Sequence, residues 1–498
     1  MHRLASATIG ITSAALGVAA GHAVAAWINP AASPVVAVGA VIIDLTPTPV
    51  KEWAVSAFGT ADKLVLLIGV GVAVAGFAAV AGLLAARNRS WGVLATGLLG
   101  ALAVAAAVTR PASGGLDGLP GVVAAAVGAA ALVGQFRWVL RPSPDQGEGI
   151  DRRLLLGGTA GIALTSGLIG SLGQRAATPQ APPTPISLPP AAKPLPELPR
   201  GLEASVEGLS PLRTPTEDFY RIDIALAVPR IDPATWRLSI DGMVAAPFTL
   251  TFAELLAMPL IERDITLTCV SNEIGGPLCG STRWRGVRVA DLLRRAGPRP
   301  DADMVLSSSP DGFSAGTPLA VLLDGRDAMI AVAMDGEPLT AVHGAPARLL
   351  TPGLYGYVGG TKWVKQLMVT RFDAAQAYWT ARGWAALGPV KTATRIDTPR
   401  RTIRSGDTVI AGVAWATHRG ISRVQVRVDE EPWRDAVLSP DVGVDYWRQW
   451  YLPWQATTGT HRLTARAFDG SGEPQPAEVT PVFPDGPTGY HQVTLSVG

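Results

Sequence analysis

The sequence predicts an α-helical membrane region of about five transmembrane helices, followed by an α+β domain and a C-terminal β-sandwich. Three observations carry that expectation. Charged residues are only 16% of the 498, against about a quarter in a typical soluble domain, and the deficit is concentrated in residues 1–140. Nine prolines fall between Pro179 and Pro199. Beyond them the apolar runs shorten, first mixed with short helical patterns and then strictly strand-like. The expected divisions are 1–175 for the membrane region, 176–215 for a proline-rich linker, 216–390 for the α+β domain and 391–498 for the sandwich. The net charge of +2 gives no reason to expect nucleic acid as a partner. Two cysteines exclude a disulfide-dense scaffold, a four-cysteine zinc site and a cysteine-ligated iron–sulfur cluster.

Spanning a bilayer takes about 20 apolar residues. Stretches at 5–27, 64–86, 91–109, 119–140 and 154–173 meet that length. The stretch at 34–46 is shorter and is followed by Pro47 and Pro49, so it reads as a re-entrant or interfacial helix, with a sixth span as the alternative. Charge in the loops tests the count. With a cytoplasmic N-terminus and five spans, Arg3, Arg87, Arg89, Arg137, Arg141, Arg152 and Arg153 lie inside. Only Lys51, Lys63 and Arg110 lie outside. A sixth span would reverse the later loops and the bias with them. Everything after residue 173 is therefore expected on the extracytoplasmic face.

The last span opens with Asp151-Arg152-Arg153 ahead of a leucine- and glycine-rich run. This resembles a twin-arginine export signal, a route taken by folded proteins; an ordinary stop-transfer flank is the alternative. His22 is the one histidine in a span and is expected to be a polar packing residue. A transmembrane haem commonly needs two axial histidines, and there is no CxxCH for covalent haem, so no haem is expected. No span holds a pair of ionisable residues that would mark a transport path.

The linker is a semi-rigid polyproline-type spacer, part of which is expected to lie against the domain surface. In the α+β domain, Trp236–Gly242 reads as a strand and turn. Thr251–Leu256 reads as a short helix with Thr251 at the N-cap and Glu254 closing a capping box. Ile265–Thr268 is a strand running into Cys269, and Val289–Arg295 is a second short helix. Arg348–Thr351 and Trp363–Val369 are strands around a glycine-rich turn. After about 395, the segments 407–410, 424–428, 447–450, 462–467 and 492–497 alternate apolar and polar residues, which argues a β-sandwich.

Cys269 and Cys279 lie ten apart, and on an oxidising face a disulfide is the plain reading of that spacing. The alternative is a metal thiolate, since Cys269 ends an apolar strand where it opens into a glycine-containing loop, and a thiolate suits a soft or redox-active metal. With no clustered His or Cys, such a metal would have to bring its own further ligands.

Leu267-Thr268-Cys269-Val270-Ser271-Asn272, with Gly275-Gly276, Trp284-Arg285-Gly286-Val287 and Leu292-Leu293, resembles the molybdenum-cofactor domain of the sulfite oxidase family. So does the run from His343 through Arg348, Pro352, Gly353 and Tyr355 to Lys362-Trp363-Val364. The resemblance covers about 216–385. It extends more weakly to the sandwich, which resembles that family's immunoglobulin-like domain, often used for dimerisation. Spans ahead of such a domain resemble membrane-anchored bacterial members.

The resemblance implies molybdenum held by one molybdopterin, oxo groups and a single protein cysteine, Cys269. It reverses the preference for a disulfide and leaves Cys279 as a buried thiol. The implied cofactor contacts are Tyr220, Arg221, Ile222, Asp223, Asp311, His343, Arg348, Gly360, Thr361 and Lys362. Their chemistry agrees, because a pterin phosphate needs cations and backbone N–H donors. A cationic residue near the metal, Arg221 or Arg285, would favour an oxyanion such as sulfite, and Arg221 is taken as the catalytic candidate. Arg285 is read first as structural. Tyr355 is placed on the substrate side, with packing as its alternative.

The implied activity is oxygen-atom transfer between water and a small-molecule substrate on the extracytoplasmic face. Sulfite oxidation and reduction of sulfoxide-like groups both stay open. Electrons would pass through a separate electron-transfer protein, and a homodimer is an open possibility. The rival from another class is a metal-free, membrane-tethered binding protein.

Overall fold

The computed structural model describes residues 2–47, 62–110, 113–139 and 186–498, with residues 50, 53 and 58. It divides into two compact units. One runs to Pro185 and includes Ala225–Ala227; the other comprises Ile186–Ile224 and Val228–Gly498.

The first unit holds helices α1 (His2–Ile28), α2 (Pro34–Leu45), α3 (Asp62–Arg87), α4 (Arg89–Val108) and α5 (Leu119–Val139). Among the described residues, four helices are long and apolar enough to cross a membrane: Arg3–Ile28, Leu64–Arg87, Arg89–Val108 and Leu119–Trp138. The fifth expected span, 154–173, and the paired arginines before it lie outside the described residues. Helix α2 has 12 residues, about 18 Å of rise, which is short of a hydrocarbon core of about 30 Å. Small residues bring the long helices into backbone contact. A methyl on Gly10 would overlap the Ala78 carbonyl, and one on Gly17 would overlap that of Ala124. Such crossings suit helices in lipid, where close packing replaces the hydrophobic drive. The buried polar groups are paired. Gln135 donates to Ser13 at 2.8 Å and accepts from Thr12 at 3.1 Å. His22 Nδ1 pairs with Ser33 Oγ at 2.9 Å, as a polar packing residue would.

The second unit begins with strands β1 (Arg237–Gly242) and β2 (Phe248–Thr251) and helix α6 (Phe252–Leu256). The expected capping box is present: Glu254 N–H donates to Thr251 Oγ1 at 3.1 Å, and Thr251 N–H donates to Glu254 Oε2 at 2.7 Å. Then come β3 (Ile261–Thr268), β4 (Cys279–Arg288) and α7 (Val289–Ala296). Helix α7 buries Val289, Leu292, Leu293 and Ala296, and ends at Gly297 with φ 67°, a conformation glycine takes without strain. After it follow β5 (Met304–Ser308), β6 (Ser314–Pro318), α8 (Leu319–Leu323), β7 (Met329–Met334), β8 (Glu337–Pro338), β9 (Arg348–Leu350), α9 (Gly356–Gly359) and β10 (Gln366–Thr370). The strand expected from Trp363 starts three residues later. Trp363 itself sits at φ 52°, outside strand geometry, in the turn that follows Lys362.

These strands form two sheets. One has the order β2-β1-β10-β5-β6, and the other β3-β4-β7-β8 with β9 also paired to β7. A core that includes Leu238, Ile240, Leu255, Val287, Leu292, Ile330, Leu349 and Leu367 fills the space between sheets and helices. Two further four-stranded sheets follow, β11 (Ala393–Thr398), β12 (Gly406–Trp415), β16 (Arg448–Ala456) and β15 (Val437–Leu438), and β14 (Arg434–Asp435), β13 (Ile421–Val428), β17 (Gly459–Asp469) and β18 (His491–Val497). They share a core built on Ile410, Val424, Val426, Trp450 and Leu463.

The described part of the proline-rich segment is laid along β3. Ala192 N–H donates to Leu260 O at 2.8 Å, and Leu195 N–H to Glu262 Oε2 at 3.1 Å. Arg285 and Arg283 hold the strap by the carbonyls of Pro189 and Pro196, at 3.1 and 2.7 Å. Arg285 also pairs with Glu262 at 2.8 Å, so its guanidinium is committed to structure.

Leu292 is fully buried. Leu292→Ala is expected to cost about 2–5 kcal/mol and to lower the thermal midpoint of the purified chain in circular dichroism. Leu387→Ala, at an exposed position, should leave the midpoint unchanged.

Candidate functional site

Strand β3 ends at Thr268, and the next residue, Cys269, still holds the ladder through its N–H to Leu278 O at 2.9 Å. The register pairs Thr268 with Cys279. Residues directly opposite share a face, and neighbours along a strand alternate. Cys279 therefore points with Thr268, and Cys269 points the other way. Both cysteines are free thiols, and the spacing that suggested a disulfide joins opposite faces of the ladder. Cys279 is buried beside Arg395 and Thr268, and burial pushes its thiol up to about 12. Cys269 lies in a cleft. Burial raises its thiol, while Ser271 and the charge of Lys362 pull the other way.

The cleft spans about 1000 Å³ counting its open mouth, which is the scale of a cofactor pocket. Of the residues singled out in the sequence, Tyr220, Ile222, Asp223, Cys269, Asp311, Arg348, Gly360 and Lys362 line it. The elements that deliver them are the loop before β1, the end of β3, the turn after β5, strand β9 and the turn after α9. Lys362 Nζ donates to Asp223 Oδ2 at 3.0 Å and to Val342 O at 2.9 Å. Burial draws the Lys362 ammonium down to about 8, opposed by the Asp223 carboxylate. Arg348 is buried, lies 5.2 Å over the Trp284 ring and donates to His343 O at 3.2 Å. Burial lowers its guanidinium to about 10. Asp311 accepts from Phe313 N–H at 3.0 Å, and burial raises its carboxyl.

Four expected residues are not in the lining. Arg221 turns its guanidinium to Asp223 at 3.0 Å, with 40% of the side chain exposed. Thr361 is buried against Ser307, hydroxyl to hydroxyl at 2.7 Å. His343 is buried beneath Phe219, with Nε2 donating to Thr216 O at 3.0 Å. Burial and nearby Arg348 hold it down to about 4, so it is neutral at physiological pH. Tyr355 packs in the core that includes Val270, Trp384 and Trp447, with its hydroxyl facing Lys391 N–H at 3.4 Å. Tyr357, two residues on, lines the cleft instead.

Sequence reasoning missed the aromatic wall of Phe313, Tyr357, Trp363, Trp379 and Trp384. Its signal was the density of aromatics at 378, 379 and 384. In one sequence that density looks the same as a core.

Arg348 Nε, His343 Nδ1 and Trp384 Nε1 are buried with no hydrogen-bond partner among the described residues. A buried polar atom left unpaired is costly, and here Arg348 Nε and Trp384 Nε1 are donors and His343 Nδ1 an acceptor. A group carrying anionic and hydrogen-bonding edges would satisfy such atoms, and the cleft offers it two cations, two carboxyls and a thiol. The donor set fits a phosphorylated heterocycle with a thiophilic metal.

Comparison with known proteins agrees. Residues 225–379 match the family model described as oxidoreductase molybdopterin binding domain. Mitochondrial sulfite oxidase of Rattus norvegicus is 27% identical over 321 residues, covering 54% of this chain and 58% of that protein. Nitrate reductase [NADH] 1 of Oryza sativa subsp. japonica is 27% identical, covering 51% of this chain and 35% of that protein. The sulfane dehydrogenase SoxCD of Paracoccus pantotrophus matches in structure with a TM-score of 0.46 and 24% identity, over 51% of this chain and 72% of that one. The chain spans little more than half the length of the sulfite oxidase it matches. Residues 225–379 are thus an oxidoreductase molybdopterin-binding domain of the sulfite oxidase type.

The opposed cysteines give a direct check. After unfolding, both thiols should be found free by mass. In the folded protein, Cys279 should resist maleimide for as long as circular dichroism shows native structure.

Proposed function

We propose that this chain is a membrane-anchored, molybdenum-cofactor-dependent oxidoreductase that catalyses oxygen-atom transfer on the extracytoplasmic face. The observation that carries the reading is Cys269 presented into a cleft with Arg348, Lys362, Asp223 and Asp311, inside a domain that matches the molybdopterin-binding family. When bound, molybdenum on a single molybdopterin supplies two-electron oxygen-atom exchange with a substrate lone pair.

The residues of the chain have separate tasks in this reading. Cys269 is the protein ligand, and Ser271 steadies its sulfur. Lys362 and Arg348 bind the pterin and its phosphate as cations in a site of low polarity, where such contacts are strong. Asp223 fixes Lys362 and Arg221 together, so neither cation is free to swing. Asp311 and Tyr220 offer hydrogen bonds from the walls. Gly360 lets backbone approach closely, and Thr361 anchors that turn through Ser307. His343, held neutral, backs the cleft wall from beneath Phe219 through its bond to Thr216 O. The aromatic wall keeps water from the reacting face.

Sulfite is the substrate suggested by the relatives' names. A second reading, reduction of a sulfoxide-like group, rests on the lining itself. Its cations are Arg348 and Lys362; Lys362 already pairs with Asp223, and Tyr357, Trp379 and Trp384 form an uncharged face. Arg221, the residue expected to attract an oxyanion, pairs with Asp223 away from that face. A separate electron-transfer protein completes either direction. The C-terminal sheets are read as an immunoglobulin-like sandwich, with a homodimer as its family role.

Elemental analysis tests the reading. Purified wild type from a cofactor-competent host is expected to hold molybdenum and pterin in step with protein, and Cys269→Ser to lose metal or change its spectrum. Wild type with neither would leave a tethered binding protein as the reading. Topology has its own check: reporter fusions after residues 88 and 175 should report opposite sides of the membrane, and the same side for both would sink the five-span arrangement.

A further inference from the structure

The loop that carries Cys269 is short, and residues 395, 489 and 491 of the C-terminal region touch it from outside. Within the loop, Asn272 N–H donates to Cys269 O at 3.1 Å, and Asn272 Oδ1 accepts from Leu278 N–H at 2.8 Å. Gly276 N–H donates to Glu273 O at 2.8 Å. These bonds shape the turn but do not fix it to anything outside itself. The Gly276 carbonyl points outward and accepts from Arg395 Nη1 at 2.9 Å.

Arg395 lies on β11 and is 6% exposed. Its other two nitrogens are also engaged: Nε by Asp397 at 2.6 Å and Nη2 by Ser210 Oγ at 2.8 Å. Ser210 N–H closes the ring by donating to Asp397 Oδ2 at 3.1 Å. One planar fork thus addresses three groups from three separate nitrogens in fixed geometry, which the single nitrogen of a lysine does not reproduce. A second contact comes from β18. His491 Nδ1 accepts from Ile396 N–H at 2.9 Å, which locks the ring. The ring lies against Gly275, where φ is +76° and any Cβ would overlap the imidazole. Gly489, one strand end away, packs on Ile274 in the same loop. The loop is therefore gripped at Ile274, Gly275 and Gly276 by residues 395, 489 and 491.

We propose that Arg395 is the positioning residue of the Cys269 loop, holding its Gly276 end while the His491 ring backs Gly275, so that the C-terminal sheets set where the thiolate stands. This rests on the reading of Cys269 as the metal ligand. It adds that the thiolate's placement is controlled from outside the cofactor domain.

Hydrogen exchange on the full-length chain in detergent tests it, with Arg395→Lys as the first variant. The lysine keeps a charge beside Asp397 but gives up the Gly276 contact. Exchange across 270–278 is expected to accelerate about tenfold, the scale of one lost charge-assisted hydrogen bond, while β17 and β18 exchange as in wild type. At unchanged pterin content, the thiolate-to-metal absorption should shift. Gly275→Ala, which pushes the loop off His491, should give the same two changes and serves if Arg395→Lys does not fold. Unaltered loop exchange, or acceleration spread evenly over the C-terminal sheets, would overturn the proposal. Wild type lacking both metal and pterin would defeat the functional reading alone, since the exchange result still decides what Arg395 holds.

Discussion

The pairing of β3 with β4 is the constraint on which the site depends. Its register puts Thr268 opposite Cys279 and so turns Cys269 the other way, into the cleft. A slip of one residue would turn both thiols to the same face. Several contacts hold the register. Thr266 and Ser281 meet hydroxyl to hydroxyl at 2.5 Å across the pair. Thr214 and Ser281 exchange two hydrogen bonds, of 2.8 and 3.1 Å. Further along the same face, Arg283 pairs with Asp264 and Arg285 with Glu262, each a cross-strand ion pair. The strap of residues 186–196 lies over those same groups. Isolated surface pairs contribute little, but here the guanidiniums are mostly covered and each holds a strap carbonyl as well.

The cleft shows a second economy of charge. Lys362 and Arg348 are buried cations, and a buried cation survives only with partners. Asp223 supplies the partner for Lys362 and for Arg221 at once. Arg348 has less: one carbonyl, and the face of Trp284. Its basicity is lowered by burial, and its Nε has no partner among the described residues.

Much of the fold was legible because period and punctuation carry it. The alternation in Ile421–Val428, the capping box at Thr251 and the amphipathic turn of Val289–Ala296 appear where sequence physics puts them. The long apolar helices were equally plain, since length and composition decide them. The start of β10 was misplaced because Trp363 looks like strand by propensity, while the tight turn after Gly359 and Gly360 forces it to positive φ. The site was legible where a short run of chain contributes several groups, as at Tyr220–Asp223 and Gly360–Lys362. It was illegible where groups converge from distant segments. Nothing near Trp379 or Trp384 sets them apart from core tryptophans, and nothing near Tyr355 says that Tyr357 would face the cleft in its place.

The core shared by the cofactor domain and the C-terminal sheets bears on how such proteins are built. Trp447 donates its backbone N–H to Thr266 Oγ1 and its indole N–H to Leu212 O, both at 2.7 Å. Trp415 and Tyr446 pack with Val270 and Cys279. The seam near residue 390 therefore separates two patterns of sequence but not two independent pieces. A gene fragment ending there would lay open the apolar back of the cysteine loop. Replacing the C-terminal region alone would therefore have to keep the groups that meet Thr266, Leu212 and Val270 across this seam.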